Sequence, residues 1–298
     1  MGNAKKSNAK RKSATGKKPP AGKSHTRTTA KAQTKTKPKV AAQPSQKSSA
    51  KLLAKKPNKP SAAKRKLAEE IRKRLESMLP EPRTELDHRN AYELLVATIL
   101  SAQSTDRTVN RVTPALFEHY PTPAALAAAD QAELEAEIKP TGFFRNKAKA
   151  IRAASQRIVE AFGGEVPRTM EEITTLPGVA RKTGNVVLGS AYRVASGITI
   201  DTHAGRVARR LDLTDEEDPI KVELDLCDLW PQSSWIDMGH RFVLHGRYVC
   251  LAKKPRCEQC PVNEVCRSAL AKPEGPWTVR AENERKVIEA RGQAASEE

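Results

Sequence analysis

Six residues of this 298-residue chain have types and spacings that could do chemistry: an amine, a carboxylate and four thiols. The amine is Lys182. It follows the turn Leu176-Pro177-Gly178 and, with Arg181, falls in the first turn of a segment carrying Val186, Val187 and Ala191 at helical spacing. Met170, Ile173 and Leu176 recur helically before the turn, so the Pro-Gly pair joins two short helices. A hairpin of this kind points the first backbone N–H groups of its second helix outward, where they suit a phosphate. A lysine amine attacks carbon when neutral, and this one sits at the positive end of a helix dipole beside a second cation. The alternatives from this stretch alone are a solvated helix-end lysine and a phosphate contact. The carboxylate is Asp201, in Asp-Thr-His ahead of AGRVARRL. It also suits a helix N-cap, and cap and catalyst are compatible roles.

The thiols are Cys250, Cys257, Cys260 and Cys266, separated by six, two and five residues. The residues between them are mostly polar, so a ligand must hold the segment. Four thiolates suit zinc or an iron–sulfur cluster, and the spacing alone leaves both open. The fifth cysteine, Cys227, lies on an apolar face with Leu226, Leu229 and Trp230 and reads as core.

The stretch LPGVARKTG, with Asp201, Thr202 and His203 after it, resembles the helix-hairpin-helix and catalytic aspartate of the endonuclease III family of DNA glycosylases. The resemblance covers about residues 66 to 270. It departs at Ala180, where the family usually has a second hairpin glycine, and at Gly184, where it usually has alanine. It implies an all-α, two-lobed fold: a six-helix barrel over 85–195, and a cluster lobe made from 63–84 and 196–270. It implies that Lys182 is the nucleophile and Asp201 its partner, and that the hairpin meets DNA through Gly178, Ala180 and Arg181. The four cysteines, preceded by LHGRYVC from Leu244, are similar to the family's ligands for a [4Fe-4S] cluster. The basic residues between the first two of them, Lys253, Lys254 and Arg256, would then face phosphates. By the same resemblance Gln103, in LSAQSTD, fills the gap left by a flipped nucleotide, and Phe143, in KPTGFFRNKA, is a wedge on the opposite strand. Such residues offset part of the few kcal/mol, roughly, that base extrusion costs.

The implied activity is a bifunctional DNA glycosylase and AP lyase acting as a monomer on double-stranded DNA with damaged pyrimidines or abasic sites. Adenine-mismatch glycosylases usually lack the hairpin lysine, so Lys182 disfavours that reading. Pyrimidine-dimer glycosylases share these motifs. A non-catalytic helix-hairpin-helix DNA-binding protein needs neither Lys182 nor Asp201.

The elements that must position these groups are helical almost throughout. Leu67, Ile71 and Leu75, then Leu95, Val96, Ile99 and Leu100, then Val109, Val112, Leu116 and Phe117, and Ile151, Ala154, Ile158 and Phe162 all recur at helix spacing. Thr122 before Pro123 marks a helix start, and Thr169 with Glu172 a capping box. Residues 198–200, Ile-Thr-Ile, are the strand-like exception.

Charge divides the chain more sharply than any motif. Residues 1–66 hold 18 Lys and 3 Arg with no acid, a charge of +21, while the rest carries −3. With few apolar residues, residues 1–62 read as a disordered Lys-rich tail that holds a polyanion such as nucleic acid. Residues 271–298 read as a polar C-terminal appendage with a short helix near 281–290. No stretch has the 18 or so apolar residues of a membrane span, and the start lacks a signal-peptide core. The expected location is cytoplasmic, at the nucleoid if the cell is bacterial, and not secreted.

Overall fold

The computed structural model describes residues 60–296, with the side chains of 291–296 left aside. The expected tail lies outside the described residues up to residue 59. The described elements are helices: α1 Ala62–Met78, α2 Ala91–Leu100, α3 Asp106–His119, α4 Pro123–Ala127, α5 Gln131–Glu137, α6 Phe144–Phe162, α7 Met170–Ile173, α8 Arg181–Tyr192, α9 Thr202–Arg210, α10 Pro219–Cys227, α11 Trp235–Tyr248 and α12 Trp277–Ser296. No strand occurs among the described residues. Ile198–Ile200 is an extended link whose two isoleucines are buried between α8 and α9.

Two separate apolar cores make two lobes. The first gathers Leu94, Leu95, Leu100, Leu116, Leu134, Ile151, Ile158 and Leu188 from α2 to α8, six helices and the single-turn α7. The second gathers Ile71, Leu75 and Met78 of α1 with Val207, Leu226, Met238, Phe242 and Ile288 from α9 to α12. A fully buried side chain of this size contributes about 1.5–3 kcal/mol, so each lobe has ample drive to close on itself. The chain crosses from lobe to lobe after α1 and again through Ile198–Ile200, and those crossings bring Lys182 and Asp201 to the junction.

Helix starts follow the local chemistry. Thr122 accepts from Ala125 N–H at 3.2 Å and Thr169 from Glu172 N–H at 3.2 Å, where the sequence placed caps. Ser61, Asn90, Thr105, Asp130, Asp201 and Asp218 cap α1, α2, α3, α5, α9 and α10 in the same way. The C-terminal segment corrects the sequence reading. It is no appendage: α12 runs for 20 residues, and its Ala281 and Ile288 belong to the second core.

Candidate catalytic cleft and cysteine loop

The hairpin is built for close approach. Gly178 has φ +78°, and a Cβ there would stand 3.0 Å from that of Ala150, so the turn tolerates only glycine without strain. Ala180 occupies the N-cap of α8 in ordinary extended backbone, so its methyl group costs nothing in conformation. It offers no capping side chain. The first N–H groups of α8 are therefore left for an acceptor from outside, unlike those of the eight capped helices. Gly184, where the family usually has alanine, has a packing reason. A Cβ there would meet Met170 Sδ at 2.8 Å and Ile173 at 3.1 Å, so glycine lets α8 lie against α7.

Lys182 is exposed in the first turn of α8. It lines one cleft at the lobe junction with Asp201, Ser101, Glu85, Asp106, His240 and Arg247. Asp201 Oδ1 accepts from Ala204 N–H at 2.7 Å, which fixes the carboxylate at the start of α9. Opposite, the Arg247 guanidinium is clasped by Asp106 and by Glu85, whose other oxygen accepts from Tyr248 Oη. Burial works against the Arg247 charge, but Asp106 and Glu85 outweigh it and hold its pKa above the ordinary value. The sequence reading missed this clasp, although Asp106 and Arg247 lie inside the two motifs it quoted. His240 faces Ser190 Oγ at 3.2 Å across the junction, and burial lowers its pKa to about 4.

The side chain of Arg181, expected to meet DNA, is engaged within the protein. Its Nη2 lies 2.8 Å from Glu223 Oε1 and also donates to Ser196 O at 3.1 Å, and Glu223 is 5% exposed. Asn185 donates to the same carboxylate at 3.0 Å. The guanidinium is thus a rivet from α8 to α10.

Gln103 and Phe143 stand exposed on two loops of the first lobe, both in the left-handed region, at φ 54° and 48°. Phe143 is 63% exposed. Backbone strain of this kind, of order 1–3 kcal/mol, persists where the surroundings impose it and gathers at functional sites. Here the surroundings include Lys147, buried, whose Nζ donates to Leu100 O at the end of the first loop's helix and to Thr141 O beside the second, each at 2.7 Å.

The four cysteines line a single cavity with Arg210, His245, Pro255 and Val262. Arg210 Nη1 donates to Cys250 Sγ at 3.3 Å, and Leu270 N–H to Cys257 Sγ at 3.4 Å. Burial raises the thiol pKa of Cys260 and Cys266, so thiolates there require a bound cation to stabilise them. Among the described residues no three His, Cys, Asp or Glu side chains converge as on a single ion. The cavity that the four cysteines line suits a group bound by thiolates. Lys253 and Lys254 are exposed on the loop after Cys250. Arg256, expected beside them, has its Nη2 2.8 Å from Glu284 of α12. Cys227 is a core residue whose thiol burial pushes up to about 12.

Comparison with known proteins agrees with this geometry. A family model described as HhH-GPD superfamily base excision DNA repair protein matches residues 96–232, and one described as the iron-sulfur binding domain of endonuclease III matches residues 250–266, all four cysteines included. Endonuclease III of Synechocystis sp. is 51% identical over 210 residues, 70% of this chain and 96% of that protein. The chain belongs to the endonuclease III family. The Bacillus subtilis endonuclease III is 46% identical, over 64% of this chain and 87% of its own length. Among solved structures, a non-covalent endonuclease III–DNA complex aligns with a TM-score of 0.66 at 40% identity, covering 69% of this chain and 96% of that one. A trapped endonuclease III–DNA covalent intermediate aligns at 0.64 with 42% identity, covering 68% and 96%. Family membership gives the cysteine cavity an iron–sulfur cofactor, and no helix among the described residues is long and apolar enough to cross a membrane.

Proposed function

We propose that this protein is a bifunctional DNA glycosylase and AP lyase that removes oxidised or saturated pyrimidines from double-stranded DNA and cuts 3′ to the abasic site. The observation that carries the reading is the meeting of Lys182 and Asp201, from α8 and α9, in one cleft at the lobe junction beside an uncapped hairpin helix. Phosphate on the outward N–H groups of the hairpin would hold the strand next to the cleft. Gln103 and Phe143 are the residues that take the space of the extruded nucleotide and wedge the opposite strand. The relative trapped covalently on DNA supports an amine nucleophile.

In this mechanism Asp201 stabilises positive charge on the sugar as the base leaves and helps take the proton of the attacking amine. The Lys182 Nζ lone pair forms the bond to C1′, and the bond from C1′ to the base breaks with its electron pair going to the base, which is then protonated. Opening of the sugar ring leaves a Schiff base between Lys182 and C1′. Loss of a C2′ proton then expels the 3′ phosphate in β-elimination, and water releases the enzyme. Cys250, Cys257, Cys260 and Cys266 would hold a [4Fe-4S] cluster, which when bound cross-links the loop that presents Lys253 and Lys254. The place of action would be the cytoplasm, at the nucleoid if the cell is bacterial.

The test is strand cleavage on a panel of duplexes, each with one lesion. Thymine glycol and dihydropyrimidine duplexes should be cut at the 3′ side, and cyclobutane dimers and adenine mismatches should not. Cleavage confined to dimers would replace the substrate while leaving the site residues in place. Cleavage of none, with tight binding to all, would reduce the protein to a DNA-binding module.

A further inference from the structure

Helix α12 begins at Trp277, beyond the residues that either family model matches, and buries two charged residues beside the apolar Ala281 and Ile288. Arg280 is 0% exposed. Its Nε donates to Cys260 O at 3.0 Å, its Nη2 to Glu264 Oε1 at 2.6 Å, and its Nη1 to Gly275 O. One turn later Glu284, 1% exposed, pairs with Arg256, the residue before Cys257, at 2.8 Å. Trp277 packs against the Arg74 guanidinium at 5.2 Å, and Arg74 in turn donates to Pro261 O at 3.1 Å. An arginine is almost never taken wholly out of water unless its donors are satisfied and its charge is balanced. Here the satisfaction comes from the cysteine loop itself. The carbonyl of one cysteine, the carboxylate between the last two and the side chain ahead of the second are all fastened to α12.

We propose that α12 is a clamp that keeps the Cys257–Cys266 segment in its ligating shape, with Arg280 as its positioning residue, and that it sets how long the iron–sulfur cluster stays bound. This rests on the reading of the four cysteines as cluster ligands. The loop has few apolar residues to hold it, so its shape depends on these polar ties. Groups that orient metal ligands from outside typically change metal affinity about 10–100-fold when removed. Ile288 belongs to the apolar core of the lobe and offers a control that loosens the helix without removing a polar tie to the loop.

The experiment compares full-length, cluster-loaded wild type, Arg280→Met, Glu284→Gln and Ile288→Ala. Each is purified without oxygen, then challenged with air and a chelator. Decay of the cluster's visible absorption, iron and sulfide retained, and thermal melting are read for each. Arg280→Met should lose its cluster about tenfold faster than wild type. Glu284→Gln should lose it faster by a smaller factor, and Ile288→Ala should keep the wild-type decay even where its melting point falls. Wild-type decay in Arg280→Met would overturn the clamp, as would equally fast loss from Ile288→Ala, which would reduce α12 to general packing. If Arg280→Met yields no folded protein, Glu284→Gln decides alone, faster loss supporting the clamp and wild-type loss overturning it. Wild type that holds neither iron nor sulfide would overturn the ligand assignment itself, and the clamp with it.

Discussion

At the hairpin, α8 starts on Ala180 with no side chain over its first N–H groups, and Gln103 and Phe143 stand exposed in left-handed backbone on two loops of the same lobe. Around the cysteines the opposite holds. The carbonyls of Cys257, Cys260 and Pro261 are taken by Asn263, Arg280 and Arg74, each of them buried. The first region keeps donors and strain available to a partner that comes and goes; the second ties down its polar groups around a ligand that stays. An unsatisfied group costs roughly 1–3 kcal/mol when buried, so a fold leaves such groups unpaired only where water or a ligand reaches them.

The largest effect expected on the open side is at Asp201. Asn caps a helix about as well as Asp, so Asp201→Asn should melt like wild type yet release base about 10²–10⁴-fold more slowly in single-turnover assays. Cleavage at a pre-formed abasic site should suffer less, because that sugar aldehyde has no base to lose. A variant that loses stability and keeps its rate would make Asp201 a cap alone.

Arg181 tests where the boundary between the two regimes runs. Arg181→Met leaves the buried Glu223 without its cation and should lower unfolding free energy by about 3–5 kcal/mol in denaturant titration. The salt dependence of DNA binding should stay at its wild-type slope. A slope reduced by about 0.9 would return Arg181 to the phosphate contacts.

Phe143 carries strain without burial, so Phe143→Gly should be more stable than wild type by about 1 kcal/mol while binding lesion DNA more weakly. Equal stability would show that φ 48° is not strained in this loop.

The smallest effect is a pH slope at the lobe junction. Burial holds His240 near 4 against an ordinary 6.5, with Asp237 raising and Arg193 lowering it by lesser amounts. Between those values the unfolded chain binds a proton that the folded chain refuses, so the stability is complete above 6.5 and is lost as pH falls toward 4. The slope from this group is at most about 1.4 kcal/mol per pH unit. His240→Gln should flatten it; an unchanged slope would assign it elsewhere.

What the sequence revealed was local. The Pro-Gly hairpin, the Thr122 and Thr169 caps and the four cysteines are patterns within a turn or two, and the two-lobed helical fold followed from the family those patterns resemble. What local patterns do not carry are long-range charge pairs. Arg181 finds Glu223 on another lobe, and Arg256 finds Glu284 on the last helix, partners that no spacing rule links. The C-terminal segment looked like an appendage because two of its buried residues are Arg280 and Glu284, which composition assigns to solvent. The reason for glycine at 184, the Met170 thioether, lies on the neighbouring helix.

Borohydride trapping on lesion DNA tests the central claim most directly. Wild type should be captured as a covalent adduct. Lys182→Gln should fold, keep its iron and bind through the same hairpin N–H groups, yet give no adduct. Full trapping by Lys182→Gln would move the chemistry to another amine and contradict the assignment of the cleft.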